Sequence, residues 1–150
     1  MAVTLYGSGN AVVQIVNASY STSTSTTSTS FVTTGLSASI TPKSASNKIL
    51  AIVSMPTDNA GSGTYSMFLT LYRGTVSGTN LGNATTGFGA ARSGGSETET
   101  LASITCLDSP ATTSATIYTV GFRSQNGSNT AIVCFNSAVA TLTLMEIAYA

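Results

Sequence analysis

The chain has 150 residues, room for one domain and too few for two ordinary ones, and its five Lys and Arg balance five Asp and Glu. With no basic excess to neutralise phosphates, nucleic acid is excluded as a partner, and with no His the chain has no imidazole metal ligand or imidazole general base. Hydrophobic residues make up 42% and mean hydropathy is +0.29, enough for a core although Ser and Thr number 49.

The pattern along the chain is that of strands. The start, Met1 to Gly7, lacks the basic residues and long apolar stretch of a signal peptide, so synthesis in a cytoplasm is expected, with residues 1–10 as an N-terminal arm. Gly7-Ser8-Gly9 opens like a dinucleotide loop, but the third glycine and a following helix are missing. Ala11 to Val16 is the first strand. Ser21 to Ser30 alternates Ser and Thr and is expected to be a solvated loop or arm; its sharper interpretation is a strand that pairs with another subunit. Lys48 to Met55 is a nearly continuous apolar run, as for a strand covered on both faces.

Tyr65 to Arg73 alternates Met67, Leu69 and Leu71 against Phe68, Thr70 and Tyr72. Val76 to Ser96, rich in Gly, Asn, Ser and Thr and anchored by Leu81 and Phe88, is expected to be a long loop and a contact surface. Leu101 to Leu107, Ala115 to Arg123, Thr130 to Asn136 and Ala140 to Ala148 complete the series, separated by turn signals such as Asp108-Ser109-Pro110 and Gln125 to Asn129. Short strands at spacings near ten, with no helices between them, predict one all-β domain over residues 1–150. The architecture is an antiparallel β-sandwich, jelly-roll-like, of about eight strands. No apolar run approaches the ~20 residues of a membrane-spanning helix, so no membrane partner is expected.

Few residues can carry chemistry. Serines are plentiful, but Ser-x-x-Lys spacing is absent: Ile40 and Ala45 stand three residues before Lys43 and Lys48. Glu97 and Glu99 fall on one face if their segment is a strand, the minimum for a paired-carboxylate glycosidase, yet SETET beside two glycines is better explained as a solvated edge. Asp58 is isolated from other acids, so no metal is expected. Cys106 and Cys134 both lie in expected strands and are interpreted as two free core thiols, a disulfide being open if those strands are neighbours. The sequons at Asn17, Asn83 and Asn126 are what chance provides in so hydroxyl-rich a chain. With no Trp, stacking of sugars on exposed aromatics is weakly supported. Catalytic, cofactor-binding and metal-binding residues are therefore expected to be none, and the protein is not expected to be an enzyme.

Thr34 to Leu50 (TGLSASITPKSASNKIL), Leu71 to Gly74 (LYRG), Leu107 to Arg123 (LDSPATTSATIYTVGFR) and Leu142 to Ala148 (LTLMEIA) resemble a module of tailed-bacteriophage virion proteins. Such modules are found in cyanophages and other aquatic phages, at tail-fibre tips or as free-standing structural proteins. The resemblance runs from about Ala11 to Ala150 and implies a homotrimeric jelly roll without enzymatic activity, with no site residues to carry over. A chain that starts at Met1 with about ten residues before its first strand suits a self-standing component. The expected role is a capsid decoration (cement) protein on the outer shell, with the major capsid protein as partner. The alternative is a tail-fibre or receptor-binding tip that meets other tail proteins and a host surface glycan through Val76 to Ser96 and Gln125 to Asn129.

Overall fold

Side chains that alternate between apolar and hydroxyl can bury one face as strands and in no other regular form. The computed structural model describes residues 11–60, 65–92, 94 and 98–148. Within them run β1 (Val12–Tyr20), β2 (Thr24–Thr26), β3 (Val32–Ile40), β4 (Lys48–Ala60), β5 (Ser66–Arg73), β6 (Thr79–Asn80), β7 (Gly89–Arg92), β8 (Glu99–Asp108), β9 (Thr116–Ser124), β10 (Thr130–Val133) and β11 (Ala140–Ile147). The expected arm at residues 1–10 lies outside the described residues.

The strands form two antiparallel sheets packed as a sandwich. In the first, β1 pairs β11, β11 pairs β4 along Lys48 to Ser54, and β8 pairs the opposite edge of β4. The short β10 takes up the end of β4 beyond β11, at Thr57 to Ala60, and carries β2 on its outer edge. In the second sheet the order is β3-β9-β5, with β6 and β7 on the free side of β5. Leaving aside the short β2, β6 and β10, the facing orders β1-β11-β4-β8 and β3-β9-β5-β7 are those of a jelly roll, in which most connections cross from one sheet to the other. The expected all-β sandwich is what the chain forms.

Ile49, Ala51, Val53 and Met55 of β4 share the core with Met67, Leu69 and Leu71 of β5, Tyr118, Val120 and Phe122 of β9, and Leu142 and Leu144 of β11. Four features differ from the sequence expectation. The hydroxyl tract is no free arm: Thr24 to Thr26 pair with Ala131 to Val133 of the same chain, so its ladder partner is internal. Val32 to Ile40 is a full strand with Leu36, Ala38 and Ile40 buried. Its irregular register falls at Gly35, whose φ of +95° and close contact with the Tyr20 ring suit no other residue.

The expected strand Thr130 to Asn136 stops at Val133, because Cys134, Asn136 and Ser137 take left-handed φ values of 53°, 50° and 60° and turn the chain through Phe135–Ser137 into β11. Residues 76–92 of the expected Val76 to Ser96 loop form no open loop either. They fold back along β5, with Leu81 N–H and Phe88 N–H donating to Leu71 O and Leu69 O at 2.9 and 2.8 Å. Gly87 (φ +58°) permits this approach, since a Cβ there would overlap Leu69 O.

Candidate interaction surface

Three charged side chains that enter the fold, Asp108, Glu146 and Arg123, hold it together. Asp108, at the end of β8 in the first sheet, accepts from Tyr118 Oη of β9 at 2.7 Å and from Arg73 Nη1 of β5 at 3.1 and 3.2 Å. Arg73 and Tyr118 are cross-strand partners in the second sheet, so one carboxylate ties both sheets together. Burial, then the bond to Asp108, pushes the Tyr118 phenol far above its ordinary pKa, and it stays a donor at all working pH.

Glu146 of β11 is buried and accepts from Asn47 Nδ2 and Gln14 Nε2, both at 2.6 Å, and from Lys43 N–H at 2.7 Å. Burial pushes its carboxyl up, but the donors from Asn47, Gln14 and the backbone outweigh that, and its pKa lies below the usual carboxylate range. The turn before β4 is thereby fastened to β1 and β11.

Arg123 is a third fastening. Its guanidinium lies over the Phe68 and Phe31 rings, 4.5 and 5.6 Å from the centroids, and donates to the carbonyls of Thr85, Thr29, Ser124 and Gln125. It draws the tract end, the folded-back segment and the Gln125 to Asn129 turn to one end of the sandwich. On the outer side of the second sheet Tyr72, Thr119 and Arg123 are buried near this cluster, whereas Ile117 on the same side is 39% exposed.

Among the described residues the first sheet has no such clasp on its outer side. The expectation that Lys48 to Met55 is covered on both faces holds for the inner face alone: Ile49, Ala51, Val53 and Met55 are buried, while Ile52 is 37% exposed. Register sets Ile15, Met145, Leu50 and Leu107 in one row across all four strands, with Asn17, Thr143, Ile52 and Thr105 beside it. Ile15 is 59% exposed, Leu107 56% and Leu101 68%. Lys48 stands at one end of this face and Glu99 at the other, so its middle carries apolar and hydroxyl groups, the Asn17 amide and no charge. A contiguous apolar patch of this kind on a sheet marks a contact surface.

The residues weighed for chemistry do not assemble. Glu99 is exposed and lies directly across from Asp58 in the β4–β8 ladder, while Glu97 lies outside the described residues. Asp58 is buried with Oδ1 unpartnered, and no group of three metal-ligating side chains occurs among the described residues. Cys106 and Cys134 are both free: Cys106 is half-buried on β8, and Cys134 lies in the turn after β10, its Sγ 3.5 Å from Tyr20 O. Burial raises the pKa of both thiols, with Asp108 adding to the effect at Cys106.

No family profile matches the chain, and no curated protein sequence matches it. Among solved structures it is similar to a chain in the structure of infectious bursal disease virus, Gx strain, with a TM-score of 0.40 and 12% identity. The match covers 98% of this chain and 44% of that one, so this chain spans less than half of its length.

Proposed function

We propose that the chain is a structural protein of a bacteriophage particle, a homotrimeric decoration protein that docks on the outer shell and bridges neighbouring major capsid subunits. The observation that supports this role is the contrast between the two sheets. The second is buried beneath the chain's own segments around Arg123, and the first, among the described residues, presents the uncharged row Ile15, Met145, Leu50 and Leu107 to the outside. Such a surface gains by being covered and has no groups for acid–base work. The buried carboxylates of Asp108 and Glu146 are spent on internal fastening, which suits a mechanical part and not an enzyme. A jelly roll by itself serves many functions, so the bare face and the resemblance to phage virion modules support the assignment, not the fold. Each docked copy would bury area across a joint between capsid subunits and raise the cost of opening it against packaged DNA.

Particles assembled without this protein are expected to release DNA at lower temperature, and the purified protein added back is expected to restore the release temperature. Unchanged release in its absence would remove the role. The tail-tip alternative has one observation in its favour: Arg123 gathers the segments around Thr29, Thr85 and Gln125 at one end, giving a polar loop cluster of the kind a glycan contact uses.

A further inference from the structure

The strand β8 is ten residues long and pairs with β4 through ten consecutive partners without a bulge. Its other edge has no backbone partner among the described residues. Soluble proteins usually blunt such an edge with Lys, Pro, a bulge or a very short strand. ETLASITCLD has none of these devices, and its edge position carries two of the most exposed large apolar side chains described, Leu101 and Leu107. Behind the middle of the edge, between the two sheets, opens a cleft of about 220 Å³ lined by Leu69, Phe88, Ala90, Ala102 and Ile104.

The order of residues along β8 indicates what fits there. Leu101 and Leu107 stand three positions either side of Ile104, as do Ser103 and Thr105 one position either side and Ala102 and Cys106 two. An antiparallel copy of β8 centred on Ile104 would set Leu101 against the partner's Leu107, Ser103 against the partner's Thr105 and Ala102 against the partner's Cys106. Ile104 would meet the partner's Ile104 at the mouth of the cleft. No like charges oppose: Glu99 would face the partner's Ser109, and Asp108 the partner's Thr100. Shifting the register by two positions sets Leu101 against Thr105 or Ser109 and loses both leucine pairs. The zero net charge of the chain adds no repulsion between copies.

We infer that β8 is a two-fold edge contact, through which a second copy of this chain joins the first sheets of two subunits into one continuous sheet. About eight to ten interchain backbone hydrogen bonds would form along the shared strands. Such an isologous contact uses the same patch on both subunits. The contact goes beyond the particle role and does not depend on it. A three-fold contact elsewhere on the chain would combine with it into a hexamer.

The test is the mass of the purified full chain by light scattering and sedimentation equilibrium, with circular dichroism as the check on folding. Wild type is expected at an even multiple of the 15.1 kDa chain mass, a hexamer where the proposed trimer joins a second across β8. L101E or L107K alone removes both leucine pairs, because each pair recurs across the axis, and is expected to weaken association by about tenfold or more. The double variant L101E/L107K sets opposite charges across both pairs and is expected to restore association. Both leucines are exposed, so the folded spectrum should persist in every variant. A wild-type monomer or trimer would overturn the inference, as would an even-numbered assembly indifferent to these substitutions. Neither result would bear on whether the protein is found on particles.

Discussion

Tyr118 Oη donates to Asp108 Oδ2 at 2.7 Å, a bond between the two sheets made inside the core, where Tyr118 is fully buried. The same carboxylate takes two contacts from Arg73, so removing either partner leaves a different residue unsatisfied. Tyr118→Phe leaves Asp108 its arginine and is expected to cost about 1–2 kcal/mol. Asp108→Ala strands the buried phenol as well and is expected to cost about 3 kcal/mol or more. Urea unfolding midpoints at constant slope measure both, and the aspartate variant should be the less stable.

The Glu146 fastening predicts an acid-sensitive element. Its folded pKa is depressed, so its contribution is present above the ordinary carboxylate range and is lost as pH falls from that range through the folded value. Glu146→Gln keeps the shape but replaces an acceptor oxygen with a donor among Asn47, Gln14 and the Lys43 N–H. The variant is expected to be less stable than wild type at pH 7, with the gap narrowing as pH falls below 4.5. Thermal unfolding across that range checks the sign.

At Gly35, as at Gly87, backbone and packing both exclude a side chain. Gly35→Ala would hold a Cβ at φ +95° and drive it into the Tyr20 ring. The expected loss is about 2 kcal/mol or more, against a few tenths for Gly94→Ala, where nothing lies within 4 Å. Chemical denaturation of the pair separates this site from a general glycine effect.

Both thiols should be slow to alkylate in the folded protein. Burial raises their pKa values, and the thiolate is the reacting species. Cys134 is fully buried and should label only on unfolding, whereas half-buried Cys106 should label slowly in the native state and more slowly still where β8 is paired. Mass spectrometry after timed exposure to iodoacetamide resolves the two sites.

Most strands were legible because β-branched and aromatic residues alternate with hydroxyls, and β1, β4, β5, β8, β9 and β11 fall where that pattern lies. β3 escaped because Thr33, Thr34 and Gly35 break the alternation, although Leu36, Ala38 and Ile40 carry it clearly. β6 and β7 are too short for a period to show, and their anchoring bonds to Leu69 and Leu71 are backbone bonds that side-chain types do not reveal. The apolar run of β4 signalled two covered faces, yet a period records that a face is apolar and not which molecule covers it. The clasp of Glu146 joins residues 99 and 132 positions away, beyond any local pattern. The contact surface is a row of one residue from each of four strands, so only the register of the folded sheet makes it visible.

The central claim is that this protein covers the outside of a phage shell. The most direct measurement is its copy number in purified particles relative to the major capsid protein, by quantitative mass spectrometry. A decoration role predicts hundreds of copies per particle, in a fixed ratio to the capsid protein. A few dozen copies or fewer would contradict it and move the protein to the tail.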